Sequence, residues 1–266
     1  MKFGICYRPH LHNQYLEEIL EKISILEVMP EITSVLDMKK IKEKCSKKGI
    51  DIGIHSLRTS MFSAEGPQQN MLENYFYISE FLDSKYFSDH IAISNYHNYY
   101  LNSVQAIPYS DKNIQVFKNN LNYMRDFFPK NLYIENITQH IQLKESSMLE
   151  SEFISRIVQE TDVDTLFDVT NMFVTANNVG ILFQDYIQDY PFERVKVLHV
   201  SGLSKNKDGH YVDIHSENIC NDMLDIVRTV KDRLINLEYV LIERDFNVDT
   251  VNDIFLDLDN LKNIWE

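Results

Sequence analysis

Eight times along this chain a short run rich in Ile, Val, Leu, Phe and Tyr gives way to a longer amphipathic segment, and six of the runs close on His, Asp or Glu. The runs are FGICY (3–7), ISILEVM (23–29), IDIGIHSL (50–57), YFSDHIAI (86–93), LYIENIT (132–138), TLFDVTN (165–171), VKVLHVS (195–201) and YVLIERD (239–245). Near-continuous apolarity is what a parallel strand covered on both faces requires. Between the runs, YLEEILEKI, MLENYFYISEFLDS, NIQVFKNNLNYMRDFF and ESEFISRIVQET repeat apolar residues at helical spacing. SENICNDMLDIVRTVKDRL opens on a Ser with acids near its start and ends in Lys and Arg, which predicts a helix across 216–234. DTVNDIFLDLDNLKNIW supplies a last helix. Eight strands alternating with eight helical segments predict a (β/α)8 TIM barrel, one domain spanning 1–266. The alternative, a doubly wound sheet, lacks the glycine-rich phosphate loop that should follow its first strand.

Composition narrows the setting. At 44% hydrophobic residues the chain can build a full core without disulfides. Cys6, Cys45 and Cys220 form no CxxC pair, so they read as reduced thiols of a cytoplasmic protein. The opening MKFGICYRPH holds no long apolar stretch, so no signal peptide is expected, and no run approaches the ~18 apolar residues of a membrane span. A formal net charge of -14 repels phosphate backbones, so a nucleic-acid partner is not expected.

In a barrel of this kind chemistry gathers at the C-terminal ends of the strands. Collecting polar residues there gives His55, His90, Glu135, Asp168, Asn171, His199, Asp213, His215 and Glu243. Asp213 and His215 are spaced i, i+2, so in extended chain both side chains point the same way. These are all N and O donors, a set suited to Fe, Mn or Zn rather than to a soft thiolate site. Nine donors exceed the needs of one ion, whereas two or three ions bridged by carboxylates would use them. So many converging carboxylates would repel one another without a cation. Singly, each residue has an ordinary reading: a hydrogen-bonded rim histidine, a glutamate paired with Lys or Arg, an asparagine capping a turn. Recurrence at one structural position is what raises the joint reading. His10, His12, His97, His140 and His210 fall outside the strand ends. The chain carries no G-x-S-x-G, Walker, C-x-x-C or H-E-x-x-H motif.

The segments IHSLRTS, SDHIAIS, VQAIPYS, LYIENIT, LFDVTNMFVTANNVG, VLHVSG, VDIH and LIERD resemble, in order, those of the multinuclear non-haem iron-dependent oxidases. That family's named members are MbnB of methanobactin biosynthesis and TglH of thiaglutamate biosynthesis. The resemblance runs from GICYRPH to LIERD and implies a TIM barrel that modifies cysteines of ribosomally made precursor peptides. It implies that His55, His90 and Glu135 hold one iron. Asp168, His199 and Glu243 hold a second, with Glu135 bridging, and Asn171, Asp213 and His215 hold a weaker third. Two or three irons of mixed Fe(II)/Fe(III) valence would work with O2 as co-substrate, with Asp245, Asp89 or His97 orienting the ligands. The methanobactin branch, which makes a copper chelator by forming oxazolone and thioamide groups, is the closer one. It implies a small MbnC-like partner protein in a heterodimer, since no added peptide-binding domain is visible here. Departures are LSKNK after VLHVSG, where many members have a second His; Arg244, where many have Trp; and DVTN in place of DVNN.

A rival comes from the same architecture: trinuclear zinc or manganese hydrolases and sugar isomerases place similar donors at barrel strand ends. The zinc endonucleases, however, carry D-x-x-H where this chain has Asp168 and Asn171 as D-x-x-N, and they need a basic groove. A non-enzymatic barrel with a satisfied polar rim is the remaining reading; it predicts no bound metal.

Overall fold

The structure, a computed structural model, describes residues 1–266 except 98, 129, 130, 213, 247 and 249. Its eight parallel strands are β1 (Lys2–Tyr7), β2 (Ile25–Val28), β3 (Asp51–Ser56), β4 (Phe87–His90), β5 (Leu132–Glu135), β6 (Asp164–Asp168), β7 (Val195–Val200) and β8 (Tyr239–Ile242). They close in sequence order into a barrel, β8 pairing with β1. Outside lie α1 (Leu16–Leu20), α2 (Val35–Lys48), α3 (Gln69–Leu82), α4 (Asp111–Met124), α5 (Glu150–Thr161), α6 (Val169–Val179), α7 (Asn221–Val230) and α8 (Val251–Trp265). This is the (β/α)8 TIM barrel that the periodicity predicts.

Every strand residue serves one of two layers, because successive side chains leave a strand on opposite faces. Ile5, Ile54, Phe87, Phe167 and Leu198 point outward into the large core beneath the helices. Their alternates point inward, where Cys6, Ile25, Tyr86, Tyr133, Leu166, Val197, Tyr239 and Leu241 form a separate buried cluster in the barrel's interior. Two residues beyond five of these, on the same inward face, stand Glu27, Glu135, Asp168, His199 and Glu243. The barrel is thus filled with apolar side chains below and with donors above. Gly53 belongs to this packing: a Cβ there would lie 2.3 Å from the Tyr86 ring, so only glycine lets that ring cross β3.

Three elements differ from the sequence expectation, each for a local reason. The run 165–171 is not all strand: β6 stops at Asp168, whose carboxylate accepts from Asn171 N at 2.7 Å and so caps α6. The run 86–93 stops at His90, and Ile93–Tyr96 instead pairs antiparallel with Tyr99–Gln105 in a hairpin. The helix expected across 216–234 is regular only in α7, followed by a 3-10 turn at Lys231–Arg233. Its leading residues are tied down elsewhere: Ile219 N donates to Asp257 Oδ1 at 3.1 Å, and Arg244 donates to Ser216 O at 2.8 Å. Among the described residues no helix is long and apolar enough to cross a membrane.

Candidate metal centre

Barrel register brings the donors together. His55 on β3 lies opposite Ser88 on β4, His90 on β4 opposite Glu135 on β5, and Asp168 on β6 opposite His199 on β7. Three groups result at the cavity floor, in each of which the potential ligand atoms lie within 4.8 Å of one another: His55, His90 and Glu135; Glu135, Asp168, His199 and Glu243; and His215, Glu243 and Asp245. A fourth, Cys6, Glu27 and His199, meets the same limit in the barrel's interior. Glu135 belongs to the first and second groups, Glu243 to the second and third, and His199 to the second and fourth.

The contacts show how the sharing works. Glu135 Oε2 is 3.1 Å from both His55 Nε2 and His90 Nε2, while its Oε1 is 3.3 Å from His199 Nδ1. Glu243 Oε2 lies 3.4 Å from His199 Nδ1 and 3.5 Å from His215 Nδ1. His215 takes a left-handed φ of 43°, turning its chain back toward Glu243 and Asp245. On the outer side Arg8, which is buried, joins the last two carboxylates, donating from Nη2 to Glu243 Oε1 at 2.6 Å and from Nε to Asp245 Oδ1 at 2.5 Å.

At Glu135, His90 and Glu243 burial is the largest influence and is opposed by neighbours. It would raise the Glu135 carboxyl, but the His55 and His90 rings hold it well below the usual range. Burial would lower His90, but Glu135 and Asp89 raise it to about 9. It would raise Glu243 too, and there His215, His199 and Arg8 prevail and keep the carboxylate ionised. Asp168 is the exception: burial wins, and its pKa is pushed up to about 8. Its Oδ1 caps α6, yet buried Oδ2 has no hydrogen-bond partner among the described residues. A buried carboxylate oxygen without a donor is costly. Here it faces Glu135, His199 and Glu243, where a cation would satisfy all four groups. This donor set fits metal ions.

Several residues hold the ligands without joining them. Asp89 accepts from His90 N at 2.6 Å and lies 3.3 Å from His90 Nδ1, and it is itself held by Ser56 Oγ and Thr59 N. Ser88 Oγ lies 2.9 Å from His55 Nδ1 and donates to Ile54 O at 3.2 Å. Asn171 lines the cavity, and its Oδ1 accepts from Thr138 Oγ1 at 2.8 Å. Asp213 lies outside the described residues. His97 is on the hairpin, 2.7 Å from Glu65. Sequence reasoning missed Glu27, Arg8 and Ser88. The rule of two could have found Glu27, since it stands two residues after inward Ile25.

Above the ligands opens a cavity of about 350 Å³. Met29, Ile32, Leu57, Val104, Ile137 and Phe246 supply its apolar walls, while His55, His90, Glu135 and Glu243 reach it from below.

Fold and site define a (β/α)8-barrel enzyme with a candidate multinuclear metal centre at the C-terminal face. More narrowly, the chain belongs to the family of RiPP precursor modification enzymes MbnB/TglH/ChrH, whose sequence model matches residues 2–266. Relatives include a UPF0276 protein of Psychromonas ingrahamii, 28% identical over 74% of this chain and 70% of its own length. Another, from Caulobacter vibrioides, is 21% identical over 99% of this chain and 94% of its own. Among solved structures, a xylose isomerase domain containing protein from Salmonella typhimurium is similar at a TM-score of 0.64 and 11% identity, covering 99% of this chain and 97% of that one. Endonuclease IV from Thermus thermophilus aligns at 0.57 and 13% identity, covering 100% and 99%. At these identities the structural likeness shows the fold alone.

Proposed function

We propose that this protein is a multinuclear iron-dependent, O2-using oxidase that modifies cysteine residues of a ribosomally made precursor peptide, in a methanobactin-type reaction yielding oxazolone and thioamide groups. The observation that carries the reading is Glu135, one buried carboxylate shared by two donor groups in a chain of a peptide-modifying family. His55, His90 and Glu135 would hold one ion, and Glu135, Asp168, His199 and Glu243 another. His215 beside Glu243, with Asn171 and Asp213, would serve a third. Bound there, the ions would supply a Lewis-acid seat for the cysteine thiolate and the electron transfer that O2 reduction requires.

The chain's own residues do the rest. Arg8 turns Glu243 by holding its Oε1, which leaves Oε2 facing His199 and His215. Asp89 fixes the His90 ring against Glu135. The apolar walls exclude water from the reacting cysteine and strengthen every charge interaction beneath it. Phe246 and Ile32, partly exposed where the cavity opens, offer contact to residues flanking that cysteine. A small partner protein holding the leader peptide along a sheet edge, in a cytoplasmic heterodimer, completes the proposal.

The test is to purify the protein with its neighbouring small partner under low oxygen and measure its metals by elemental analysis and Mössbauer spectroscopy. Two or three coupled irons per chain, and a changed mass of a cysteine-containing precursor peptide under O2, are expected. Predominant zinc or manganese that iron supplementation does not displace would overturn the oxidase in favour of a hydrolase or isomerase.

A further inference from the structure

The two ring nitrogens of His199 enter different surroundings. Nδ1 faces the candidate ligands Glu135 and Glu243, whereas Nε2 points into the barrel, where the Glu27 oxygens lie 3.1 and 3.3 Å away. Glu27 is in turn held by the Tyr86 hydroxyl, which donates to Oε2 at 2.7 Å. All three side chains are buried. His55 and His90 are arranged the other way round. They turn Nε2 to Glu135, while their Nδ1 atoms meet Ser88 Oγ and the Asp89 carboxylate.

We propose that Glu27 is a positioning residue for the inner ion: it accepts a hydrogen bond from Nε2–H of His199, with Tyr86 holding it in place, and thereby commits Nδ1 to the metal. This rests on the metal-centre reading above and adds to it a residue that reaches the ion only through another. Three features support the assignment. Glu27 comes from β2, a strand that supplies none of the three donor groups at the cavity floor. Of the two side chains that meet His199 Nε2 in the interior its carboxylate is the nearer, at 3.1 Å against 3.6 Å for the Cys6 thiol. Its inward direction follows from strand alternation, with Ile25 below it in the barrel's interior. Its one strong neutral donor, Tyr86, is seated by Gly53, where any side chain would displace the ring. A carboxylate behind a metal-bound imidazole fixes its tautomer and raises its basicity more than a neutral hydroxyl does. Each group thus has one carboxylate-backed imidazole, His199 on Glu27 and His90 on Asp89, and the inner group, with three carboxylates against one, binds its ion the more tightly.

Cobalt(II) titration of the metal-stripped protein, read by visible absorption, tests this independently of the oxidase chemistry. Glu27→Gln keeps the shape but removes the charge. It is expected to weaken one of the bound ions roughly 10- to 100-fold and to shift that ion's absorption bands, leaving the other unchanged. Tyr86→Phe should act in the same direction more weakly, and it decides the matter if Glu27→Gln does not fold. In iron-loaded protein, one Mössbauer doublet should shift and the other stay. A Glu27→Gln titration superimposable on the wild type, or equal weakening of all ions, would overturn the proposal. Normal cobalt binding by a wild type that rejects iron would remove the oxidase reading and leave the role of Glu27 standing.

Discussion

Two regions of this barrel bury carboxylates, and they treat them in opposite ways. In the outer layer Glu150, at the start of α5, meets only neutral donors: the Tyr109 hydroxyl at 2.7 Å and that of Tyr186 at 3.2 Å. Burial prevails there, and the carboxyl is pushed up to about 7. At the cavity floor Glu135 is just as buried but is ringed by three imidazoles, and its carboxylate stays ionised. The lesson is that burial alone does not mark a site. The outer region keeps a proton on Glu150, whereas the floor surrounds Glu135 with imidazoles; Asp168, where burial prevails, follows Glu150.

Replacing Glu135 tests the contrast most severely. Glu135→Gln should cost both groups their ion at once, with affinity falling at least about 100-fold, since even an outer-shell change costs 10–100-fold. Elemental analysis showing one ion retained would separate the groups that the geometry joins. Next in size, Arg8→Ala strands Glu243 and Asp245 beside each other. A broken buried pair of this kind costs roughly 3–5 kcal/mol, to be read by chemical denaturation of the metal-stripped protein. Added metal should restore part of the loss.

Glu150 gives the pH signature. Folded, it keeps its proton up to about pH 7, while the unfolded chain releases it near the ordinary 4.5. Its contribution is therefore fully present below about pH 4.5 and is lost as pH rises through 7. That difference corresponds to about 3 kcal/mol. Glu150→Gln should accordingly raise the melting temperature at pH 8 and leave it nearly unchanged at pH 4.5; equal effects at both would show that the carboxyl is ionised throughout. The smallest expected effect lies below the floor. Gly53→Ala drives a methyl into the Tyr86 ring and should cost about 1–3 kcal/mol by overpacking. It should also weaken the inner ion as Tyr86→Phe does, because the displaced hydroxyl no longer holds Glu27.

Much of this was legible along the chain, residue by residue. His55, His90, Glu135, Asp168, His199 and Glu243 all stand where an apolar run breaks, and that break is the signature of an inward polar position at a strand's end. Glu27 escaped because its run continues through Val28 and Met29, so the break was hidden, although alternation from Ile25 marked it. Arg8 escaped for another reason. Its partner Glu243 is 235 residues away, and no local pattern pairs a residue past the first strand with one past the last.

The sequence by itself determined that eight strands would form, which of their side chains would point inward, and that the upper inward layer would be N and O donors, because alternation and periodicity are local properties of the backbone. Only the tertiary structure decided which donors come together. Closure of β8 onto β1 brings Arg8 to Glu243, and the register of β4 against β5 and of β6 against β7 makes Glu135 common to two groups. His199 turns its Nδ1 to that centre because Glu27, from a distant strand, lies against its other nitrogen. Those outcomes depend on the relative placement of strands far apart in sequence, which only the closed barrel sets.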